Sequence, residues 1–481
     1  MNIPSSTPPP PPQRPASTAA GEQAAPAEAV LLYQAGPKIQ PRRADGRYAR
    51  LRVFAMFALL GLYYALPWIS WHGQQLVLFD LPHRRFYLFG LTLVPQDLPL
   101  LAAMLFTAAL TLFLFTSLAG RLWCGYSCPQ TVWTEAFLWL EYFTEGDRHA
   151  RMKLDKPGWT FNKIVRRGGK HLAWALFAAM TGVTFVAYFV PARELIPAAF
   201  ALQLSGWSLF WCVFYSFATW GNAGFLREQV CKYMCPYARF QSAMFDRDTL
   251  IIAYDEKRGE PRKHAAKEIG KPAGDCIDCS LCVQVCPTGI DIRKGLQYEC
   301  IACAACIDVC DTVMDSQQRP HGLIHYTSAN HDAGKKVRLL RPRTLGYGAV
   351  WLVACGVLLT LIVNHSTLYF DVMRDRHTLY RELASGAIEN LYVVDITNGD
   401  NQAHNFAISA RLEDGTALEV EPTHLQREPG QTAKSMVSLR IPHETVEHGN
   451  LPSAARIVVT LTPEDKPEAA RSHSARFLTG D

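Results

Sequence analysis

The sequence predicts a multi-domain protein, in which an α-helical membrane bundle carries an inserted cysteine-rich segment and a C-terminal β-sandwich. Three observations predict this architecture. Five apolar stretches are long enough to cross a bilayer, ten of the 14 cysteines lie between Cys231 and Cys310, and about 110 C-terminal residues form short alternating apolar runs. Charged residues make up only 19% of the 481 residues, and no basic stripe with interleaved aromatic residues is present. Nucleic acid is therefore not an expected partner.

Residues 1–35 are predicted to form a disordered tail. They are rich in Pro, Ala, Ser and Gln, and they include a proline run from Pro8 to Pro12. Such a composition cannot bury a core. The stretch also lacks the basic start, the early apolar run and the cleavage site of a signal peptide.

A membrane domain is predicted over residues 36–230. A helix needs about 20 residues to cross a bilayer. Four spans are expected at about residues 53–71, 98–118, 172–190 and 204–225, and a fifth at residues 345–363. The apolar segment at residues 86–94 is too short to span, and we expect a hairpin or an interfacial segment there.

The placement of lysine and arginine predicts the orientation, because these residues are enriched in cytoplasmic loops. With five spans, three basic groups fall on one side: residues 42–52, 148–170 and 335–343. The N-terminus and the cysteine-rich segment are therefore expected in the cytoplasm, and the C-terminal domain in the periplasm. This makes the chain a multi-pass protein of the bacterial inner (cytoplasmic) membrane, in contact with lipid.

The strongest chemical signal lies in the segment 231–344, which contains two consecutive C-x2-C-x2-C-x3-C runs. In two-cluster ferredoxins, three cysteines of each run bind one [4Fe–4S] cluster and the fourth binds the other cluster. The expected ligands of the first cluster are Cys276, Cys279, Cys282 and Cys310, and those of the second are Cys300, Cys303, Cys306 and Cys286. Zinc ligation or buried thiols are the alternatives, but two complete runs in tandem favour a ferredoxin-like, electron-transferring segment. Asp311 replaces the proline that usually follows the second run.

A second cysteine motif, C-x3-C-P, occurs twice. Cys124 and Cys128 follow the second span, and Cys231 and Cys235 follow the fourth. The four-residue spacing predicts that each pair of sulfurs lies on one face of a helical turn, and the proline after each pair predicts a break in the helix there. Because both pairs lie at cytoplasmic ends of parallel spans, the four thiols could converge. Soft thiolates select Cu(I), zinc or an iron–sulfur cluster, so a copper site, a third cluster and separate buried cysteines all remain open.

The tail at residues 371–481 is predicted to form an antiparallel β-sandwich. Alternating runs such as Leu391–Ile396, Phe406–Leu412 and Arg456–Leu461 are separated by Asn-Gly, Asp-Gly and Pro-Gly turns. The tail contains no cysteine, so no disulfide is expected in it.

The chain resembles the cytochrome c oxidase accessory protein family, of the FixG/CcoG type. The resemblance is carried by Pro41–Tyr48, Trp123–Gln130, Glu228–Ala243 and the two tandem runs, and it covers nearly everything after about Ala35. It implies a multi-domain fold: an α-helical membrane bundle of five spans, an inserted cytoplasmic two-[4Fe–4S] ferredoxin-like segment and a C-terminal immunoglobulin-like β-sandwich.

The resemblance also implies a specific activity. Such proteins are held to reduce Cu(II) to Cu(I) during assembly of a C-family haem–copper cytochrome c oxidase, with the C-x3-C-P cysteines important. Cys124, Cys128, Cys231 and Cys235 would then be catalytic and would bind copper as the substrate. Expected partners are oxidase assembly factors or copper carriers and an electron donor that the sequence does not name, and a homodimer stays open.

Two competing functions remain from the residues alone. Membrane quinol dehydrogenase subunits also combine membrane helices, C-x3-C-P motifs and tandem clusters. A non-enzymatic assembly scaffold would instead use its β-domain to bind oxidase subunits. Removing the Cys276 ligand would separate the classes, because only a scaffold would still support assembly.

Overall fold

The computed structural model describes residues 39–71, 73–262, 266–268, 270, 272–338, 340–375, 377, 379–400, 402–428, 430–441 and 452–479. The predicted disordered tail at residues 1–35 lies outside the described residues. Gln40–Asp481 belong to one structural unit.

Three helical segments of the described residues are long and apolar enough to cross a membrane. They are Arg47–Trp68, Pro95–Ala119 and Pro342–Val363, and they contain helices α1 (Arg47–Ala65) and α2 (Leu98–Ala119). These segments coincide with the first, second and fifth expected spans. The second and the last pack against each other, and Trp351 Nε1 donates a hydrogen bond to Thr111 Oγ1 at 2.8 Å.

The third and fourth expected spans, at residues 172–190 and 204–225, are not confirmed. A helix covers Phe161–Val186, but its first turns carry Lys163, Arg166, Arg167 and Lys170, which lower the apolar character of the helix. The next long helix covers only Gly206–Thr219 and then continues as π-helical turns at Trp220–Leu226. Its α-helical part, at 14 residues, is shorter than the roughly 20 residues that a span needs. The two helices pack closely, since a Cβ on Gly182 would lie 2.6 Å from the Ser216 amide nitrogen.

Short elements connect these helices. The strands that follow α1 in the chain are β1 (Ser70–Trp71), β2 (Gln74–Gln75), β3 (Val77–Asp80), β4 (Arg85–Leu88) and β5 (Leu91–Leu93). Strands β4 and β5 form an antiparallel hairpin, which confirms the hairpin expected at residues 86–94. The helices that follow α2 are α3 (Leu122–Tyr126), α4 (Pro129–Glu145), α5 (Arg148–Leu154), α6 (Phe161–Val186), α7 (Ala192–Phe200) and α8 (Gly206–Thr219).

The cysteine-rich segment is a small, mostly irregular domain closed by one strand pair. Its elements are α9 (Pro236–Met244), β6 (Ile251–Tyr254), α10 (Glu256–Gly259), α11 (Leu281–Gln284), α12 (Ala305–Ser316), β7 (Ile324–Thr327) and α13 (Ala329–Asp332), and α14 (Pro342–Val363) follows. Strands β6 and β7 are antiparallel. The small core contains Ile252, Ile307, Met314 and Leu323, and four of the cysteines pack against it.

The C-terminal region folds as the predicted antiparallel β-domain. Its strands are β8 (Leu368–Arg374), β9 (Arg381–Glu382), β10 (Ile388–Asn398), β11 (His404–Leu412), β12 (Ala417–Glu421), β13 (His424–Arg427), β14 (Thr432–Ile441), β15 (Ala454–Pro463) and β16 (Arg471–Leu478). The main strand order is β16-β15-β11-β12-β14-β10-β8. Alternate residues of β10, β11 and β15 face a shared core that includes Tyr392, Phe406 and Phe477.

Candidate functional site

The two cysteine runs adopt the same local backbone geometry. In the first run, Asp278 and Ser280 flank Cys279 and have left-handed φ values of 59° and 56°. In the second run, Ala302 and Ala304 flank Cys303 and have φ values of 55° and 58°. Left-handed residues in such turns point successive amide N–H groups into one concavity, which is a geometry that binds anions and iron–sulfur clusters. Both loops therefore fit a cluster with negatively charged sulfur ligands.

The first predicted quartet lines one cavity. Cys276, Cys279, Cys282 and Cys310 surround a cavity of about 390 Å³, including its open mouth. Its other walls are largely apolar and include Tyr254 and Leu323. Cys310 comes from the second run and reaches this cavity from α12. Arg293 also lines the cavity. Burial raises the pKa of Cys282 to about 11, although the positive charge of Arg293 opposes this rise.

The second predicted quartet also comes together. Burial, followed by the nearby thiols of Cys303 and Cys286, raises the pKa of Cys300 to about 12. Burial raises the pKa of Cys306 well above its usual value, followed by the thiols of Cys303, Cys300 and Cys286 and, last, by Cys282 of the first quartet. Cys286 of the first run thus lies among the cysteines of the second run. The structure brings together both crossed quartets, and their assignment as cluster ligands stays a prediction.

The spacing of the sulfurs fits clusters better than single metal ions. Among the described residues, no three cysteine Sγ atoms lie within 4.8 Å of one another. A tetrahedral zinc site with Zn–S bonds of about 2.3 Å would hold its sulfurs about 3.8 Å apart. In a cubane each thiolate binds a different iron, so the sulfurs are spread more widely.

The four C-x3-C-P cysteines converge, but each pair lies across a break between two helices. Cys124 lies in α3, while Cys128 is extended (ψ 129°) immediately before α4. Cys231 lies in π-helical turns at Val230–Met234, and Cys235 is extended (ψ 108°) before α9. The expected single helical turn is therefore wrong for both pairs. Its physical cause is the following proline, which disfavours a helical conformation in the residue before it.

The four cysteines Cys124, Cys128, Cys231 and Cys235, the thiol quartet, influence one another's pKa values and therefore lie close together. Burial, followed by Cys128, Cys124 and Cys235, raises the pKa of Cys231 to about 12. Burial and then Cys128 raise the pKa of Cys124 to about 11. The four thiols thus form one group, although no three of their sulfurs lie within 4.8 Å in the described residues. A metal that binds here must displace protons.

Two polar residues that sequence analysis missed hold the thiol quartet in place. The fully buried Gln241 on α9 accepts a hydrogen bond from Cys124 Sγ at 3.3 Å. The buried Arg121 guanidinium donates to the carbonyl oxygens of Tyr298, Ala238 and Cys300, the last at 3.3 Å. Arg121 therefore ties the thiol quartet to the loop of the second cysteine run. In the sequence, the only indication of this role was the position of Arg121 at the end of an apolar span.

The loop between Cys124 and Cys128 touches the second cysteine run directly. A Cβ on Gly125 would lie 2.7 Å from the Ile301 carbonyl oxygen and 3.0 Å from that of Ala302. Beside this contact, the hydroxyl of Tyr326 donates to the Ala302 carbonyl oxygen at 2.6 Å and lies 3.2 Å from the Tyr126 hydroxyl. The segment that carries Cys124 and Cys128 therefore lies directly against the loop that bears the predicted ligands of the second cluster.

The cysteine-rich segment is also anchored to the first membrane helix. The Asp308 carboxylate on α12 accepts hydrogen bonds from the backbone amides of Tyr48 at 3.0 Å and Ala49 at 2.7 Å, in the first turn of α1. A carboxylate from another segment thus accepts hydrogen bonds from free N–H groups at the N-terminus of α1, and its negative charge interacts favourably with the helix dipole. Arg52 on the next turn donates to the Cys303 carbonyl oxygen at 2.5 Å.

A buried ion network supports the second C-x3-C-P motif. The Glu141 carboxylate lies 3.1 Å from Arg151, 3.0 Å from Arg227 and 3.8 Å from Lys170, and Lys170 also contacts Glu145 at 2.8 Å. Arg227 precedes Cys231 by four residues, and its backbone carbonyl oxygen accepts from Gln130 Nε2 at 3.2 Å. The network therefore connects the segments that carry the two motifs.

Family comparisons match the same three regions of the chain. A family model described as a 4Fe-4S dicluster domain matches residues 226–329, and one described as a 4Fe-4S binding domain matches residues 101–143. A third model, for an IG-like fold at the C-terminal of FixG, an oxidoreductase by its description, matches residues 358–480. Among whole proteins, the nitrogen fixation protein FixG of Rhizobium meliloti is 40% identical over 407 residues, 76% of this chain and 78% of the relative.

The chain belongs to the FixG family. Protein RdxB of Cereibacter sphaeroides is 39% identical over 81% of this chain and 85% of its own length. A solved structure of a FixG-related protein from Vibrio parahaemolyticus is 20% identical and matches 24% of this chain and 98% of its own, with a TM-score of 0.20. The FixG-family relationship, the 4Fe–4S domains and the apolar helices identify an iron–sulfur electron-transfer protein with helices suited to a membrane.

Proposed function

We propose that this FixG-family protein is a cupric reductase, which reduces Cu(II) to Cu(I) for assembly of a C-family haem–copper cytochrome c oxidase. The observation that carries the proposal is the contact of Gly125 with Ile301 and Ala302. It supports direct passage of electrons from the ferredoxin-like segment to the thiol quartet. Two [4Fe–4S] clusters bound by the crossed quartets would supply electrons one at a time.

The residues of the thiol quartet suit the reduction of copper. Cu(II) prefers tetragonal nitrogen and oxygen ligands, whereas soft thiolates favour Cu(I). Binding of one ion by a pair of thiols from Cys124, Cys128, Cys231 and Cys235 would therefore favour the change from Cu(II) to Cu(I), which consumes one electron. Thiols that supplied the electrons alone would reduce two Cu(II) ions for each disulfide formed and would then stop. Electrons delivered through the adjoining segment would keep the thiols reduced and allow turnover.

The neighbouring protein groups have roles in this scheme. Arg121 and Gln241 hold the quartet in place, and the Arg121 guanidinium places a positive charge between the thiols and Cys300. Asp308 and Arg52 hold the ferredoxin-like segment against α1. The distance between the two redox sites therefore depends on contacts within the protein and does not require a partner.

The proposed topology retains five spans. It places α6 and α8 in the membrane along with the three apolar segments, and it places the N-terminus and the cysteine-rich segment in the cytoplasm. Exposed aromatic residues on α8, among them Trp207, Phe210 and Phe217, support a lipid-facing position for this helix. A reporter fused near Gly270 should be active in the cytoplasm and one fused after Asp481 in the periplasm. A cytoplasmic C-terminus would rule out this topology.

A third iron–sulfur cluster at the thiol quartet is the second candidate. The match of a 4Fe-4S binding domain over residues 101–143 favours it, because this range includes Cys124 and Cys128. Two clusters predict about eight irons and eight acid-labile sulfides per chain. Iron close to twelve per chain, reduced to about eight by serine at Cys231 and Cys235, would support the third cluster and exclude a free thiol site.

A direct assay tests the proposed activity. The purified full-length protein would be reduced anaerobically, freed of reductant and mixed with Cu(II) and a chelator specific for Cu(I). We expect Cu(I) to form while the EPR signals of the reduced clusters disappear, and Cys276→Ala to lower the yield. If cluster oxidation needs a quinone and Cu(II) has no effect, the protein is a quinone-linked dehydrogenase subunit. Oxidase assembly that survives Cys276→Ala in cells would instead support a scaffold.

A further inference from the structure

Two histidines and an aspartate meet on the surface of the cysteine-rich segment, and none of the predicted cysteine ligands belongs to this group. His325 lies on β7, and His331 and Asp332 lie on α13. One ligand atom from each lies within 4.8 Å of the other two, and among the described residues no other three histidine, cysteine or acidic side chains meet this condition. His325 Nε2 is 3.6 Å from Asp332 Oδ1, and His331 Nδ1 is 3.8 Å from the same oxygen.

Neighbouring groups already orient these side chains. His325 Nδ1 lies 2.9 Å from the Gly322 carbonyl oxygen. A carbonyl only accepts, so Nδ1 carries the proton and the lone pair of the neutral ring is on Nε2, the nitrogen that faces Asp332. The Thr327 hydroxyl is 2.5 Å from Asp332 Oδ1 and 3.2 Å from His331 Nδ1. At His325 the hydrogen bond is on Nδ1, the nitrogen remote from Asp332, and such a bond fixes the tautomer and the direction of a metal-binding histidine. At His331 an ion bound to Nδ1 would replace the contact with Thr327.

We propose that His325, His331 and Asp332 bind one divalent transition-metal ion, of the class that prefers nitrogen and oxygen ligands, such as Cu(II) or Zn(II). Metal–nitrogen bonds of about 2.0–2.1 Å place the ligands of a tetrahedral site about 3.3 Å apart. The observed separations of 3.6 Å and 3.8 Å are therefore within a few tenths of an ångström of a closed site. Among divalent ions of this class, Cu(II) binds such ligands most tightly.

The exposure of the site indicates an exchangeable ion. The side chains of His331 and Asp332 are 67% and 40% exposed, and three protein ligands leave at least one coordination position for water or another ligand. An ion held here could be passed on, unlike one in a closed structural site. The thiol quartet has the opposite preference, because its soft sulfur ligands favour Cu(I).

The position of the site links it to the second cysteine run. Tyr326 lies between His325 and Thr327 on β7, and its hydroxyl donates to the Ala302 carbonyl oxygen beside Cys303. An ion bound by His325 would therefore be held by the residue next to Tyr326, whose side chain contacts the loop of the second cysteine run. The inference goes beyond the proposed function and stands without it, since it concerns the binding of an ion and not its reduction.

Metal titration of the full-length protein in detergent tests the site. Cu(II) would be added at one equivalent while the iron–sulfur clusters are oxidised, and EPR would record couplings to imidazole nitrogen. Zn(II) binding would be counted by equilibrium dialysis, because zinc is not reduced. We expect imidazole-bound Cu(II) in the unmodified protein. In His331→Ala, this Cu(II) signal should disappear and the number of bound Zn(II) ions should fall by one per chain. The iron content should remain unchanged.

His321→Ala is the matched control, because His321 is a nearby exposed histidine that pairs with Asp315 outside the proposed site. It should keep the imidazole-bound Cu(II) and the full Zn(II) count. Asp332→Asn provides a second variant and should weaken binding at least tenfold. The proposal is overturned if His331→Ala and Asp332→Asn retain the same Cu(II) signal and Zn(II) count as His321→Ala, or if the unmodified protein binds no imidazole-coordinated Cu(II).

Discussion

Gly125, in the first C-x3-C-P loop, lies against the carbonyl oxygen of Ile301, which directly follows Cys300; a Cβ at Gly125 would be only 2.7 Å from that oxygen. The two cysteine sites are 176 residues apart in the chain at this contact, yet their loops touch. A contact between backbone segments is less adaptable than one between long side chains, so the distance between the two sites is set by the fold.

Gly125→Ala should slow copper reduction while the clusters remain. The added Cβ must push the two loops apart, and overpacking of this kind costs about 1–3 kcal/mol. We expect Cu(I) formation by the reduced protein to fall about tenfold or more, because small displacements at reacting sites are costly. Gly168→Ala is the control, since a Cβ there meets nothing within 4 Å. Equal rates for both variants would show that this contact does not position the sites.

Asp308→Ala should loosen the ferredoxin-like segment from α1. The substitution leaves the half-buried amide of Tyr48 and the buried amide of Ala49 without their acceptor, and an unpaired buried amide costs about 1–3 kcal/mol. We expect faster proteolysis within the segment and faster loss of the cluster absorbance on warming. Asp315→Asn on the same helix removes an exposed carboxylate and should behave as the unmodified protein. Identical protease sensitivity of the two variants would contradict the anchoring role.

Single substitutions of the fourth cysteines test the crossed ligand sets. Cys286→Ala should damage the cluster of Cys300, Cys303 and Cys306, and Cys310→Ala the cluster of the first run. EPR of the reduced protein would distinguish the two signals and iron analysis would count the loss. An unchanged second-cluster signal in Cys286→Ala would refute the assignment, although the structure brings these cysteines together.

Glu141→Gln should destabilise the membrane domain strongly. The Glu141 side chain is 2% exposed and faces Arg151, Lys170 and Arg227, so its neutralisation removes the charged partner of the two buried arginines and the more distant partner of Lys170. Breaking a buried pair in this way costs about 3–5 kcal/mol. We expect a lower apparent Tm in detergent, measured as the loss of cluster absorbance on heating. Glu145→Gln, which affects only Lys170 in this network, should lower Tm less, and an equal or larger effect would contradict the central position of Glu141.

The sequence predicted the parts of the fold that have strong local patterns. Tandem cysteine spacing indicated the ferredoxin-like segment, and alternating runs with glycine turns indicated the β-domain. Apolar length alone located the first, second and fifth candidate spans. The same criterion also predicted spans within α6 and α8, where charged first turns and a 14-residue helix leave the assignment unconfirmed.

Contacts between distant segments could not be predicted. Nothing local in the sequence indicates that Asp308 caps α1 or that Gly125 meets Ile301, because both contacts depend on the docking of the cysteine-rich segment onto the membrane helices. The spacing of Cys231 and Cys235 predicted one helical turn, but Pro236 forces an extended residue before it. The convergence of the four thiols depends on contacts between distant segments, such as the hydrogen bond from Cys124 Sγ to Gln241 on α9, and not on helical periodicity.

We propose that the thiol quartet reduces copper with electrons from the ferredoxin-like segment. The most direct measurement is Cu(II) reduction by Cys231→Ser/Cys235→Ser, with EPR of both clusters in the same sample. A control that removes two isolated cysteines, Cys212→Ser/Cys355→Ser, matches the number of lost thiols. We predict that the first variant keeps both cluster signals and forms no Cu(I), while the control reduces Cu(II) at the unmodified rate. Unmodified Cu(I) formation by Cys231→Ser/Cys235→Ser, with its clusters intact, would contradict the thiol quartet as the site of reduction.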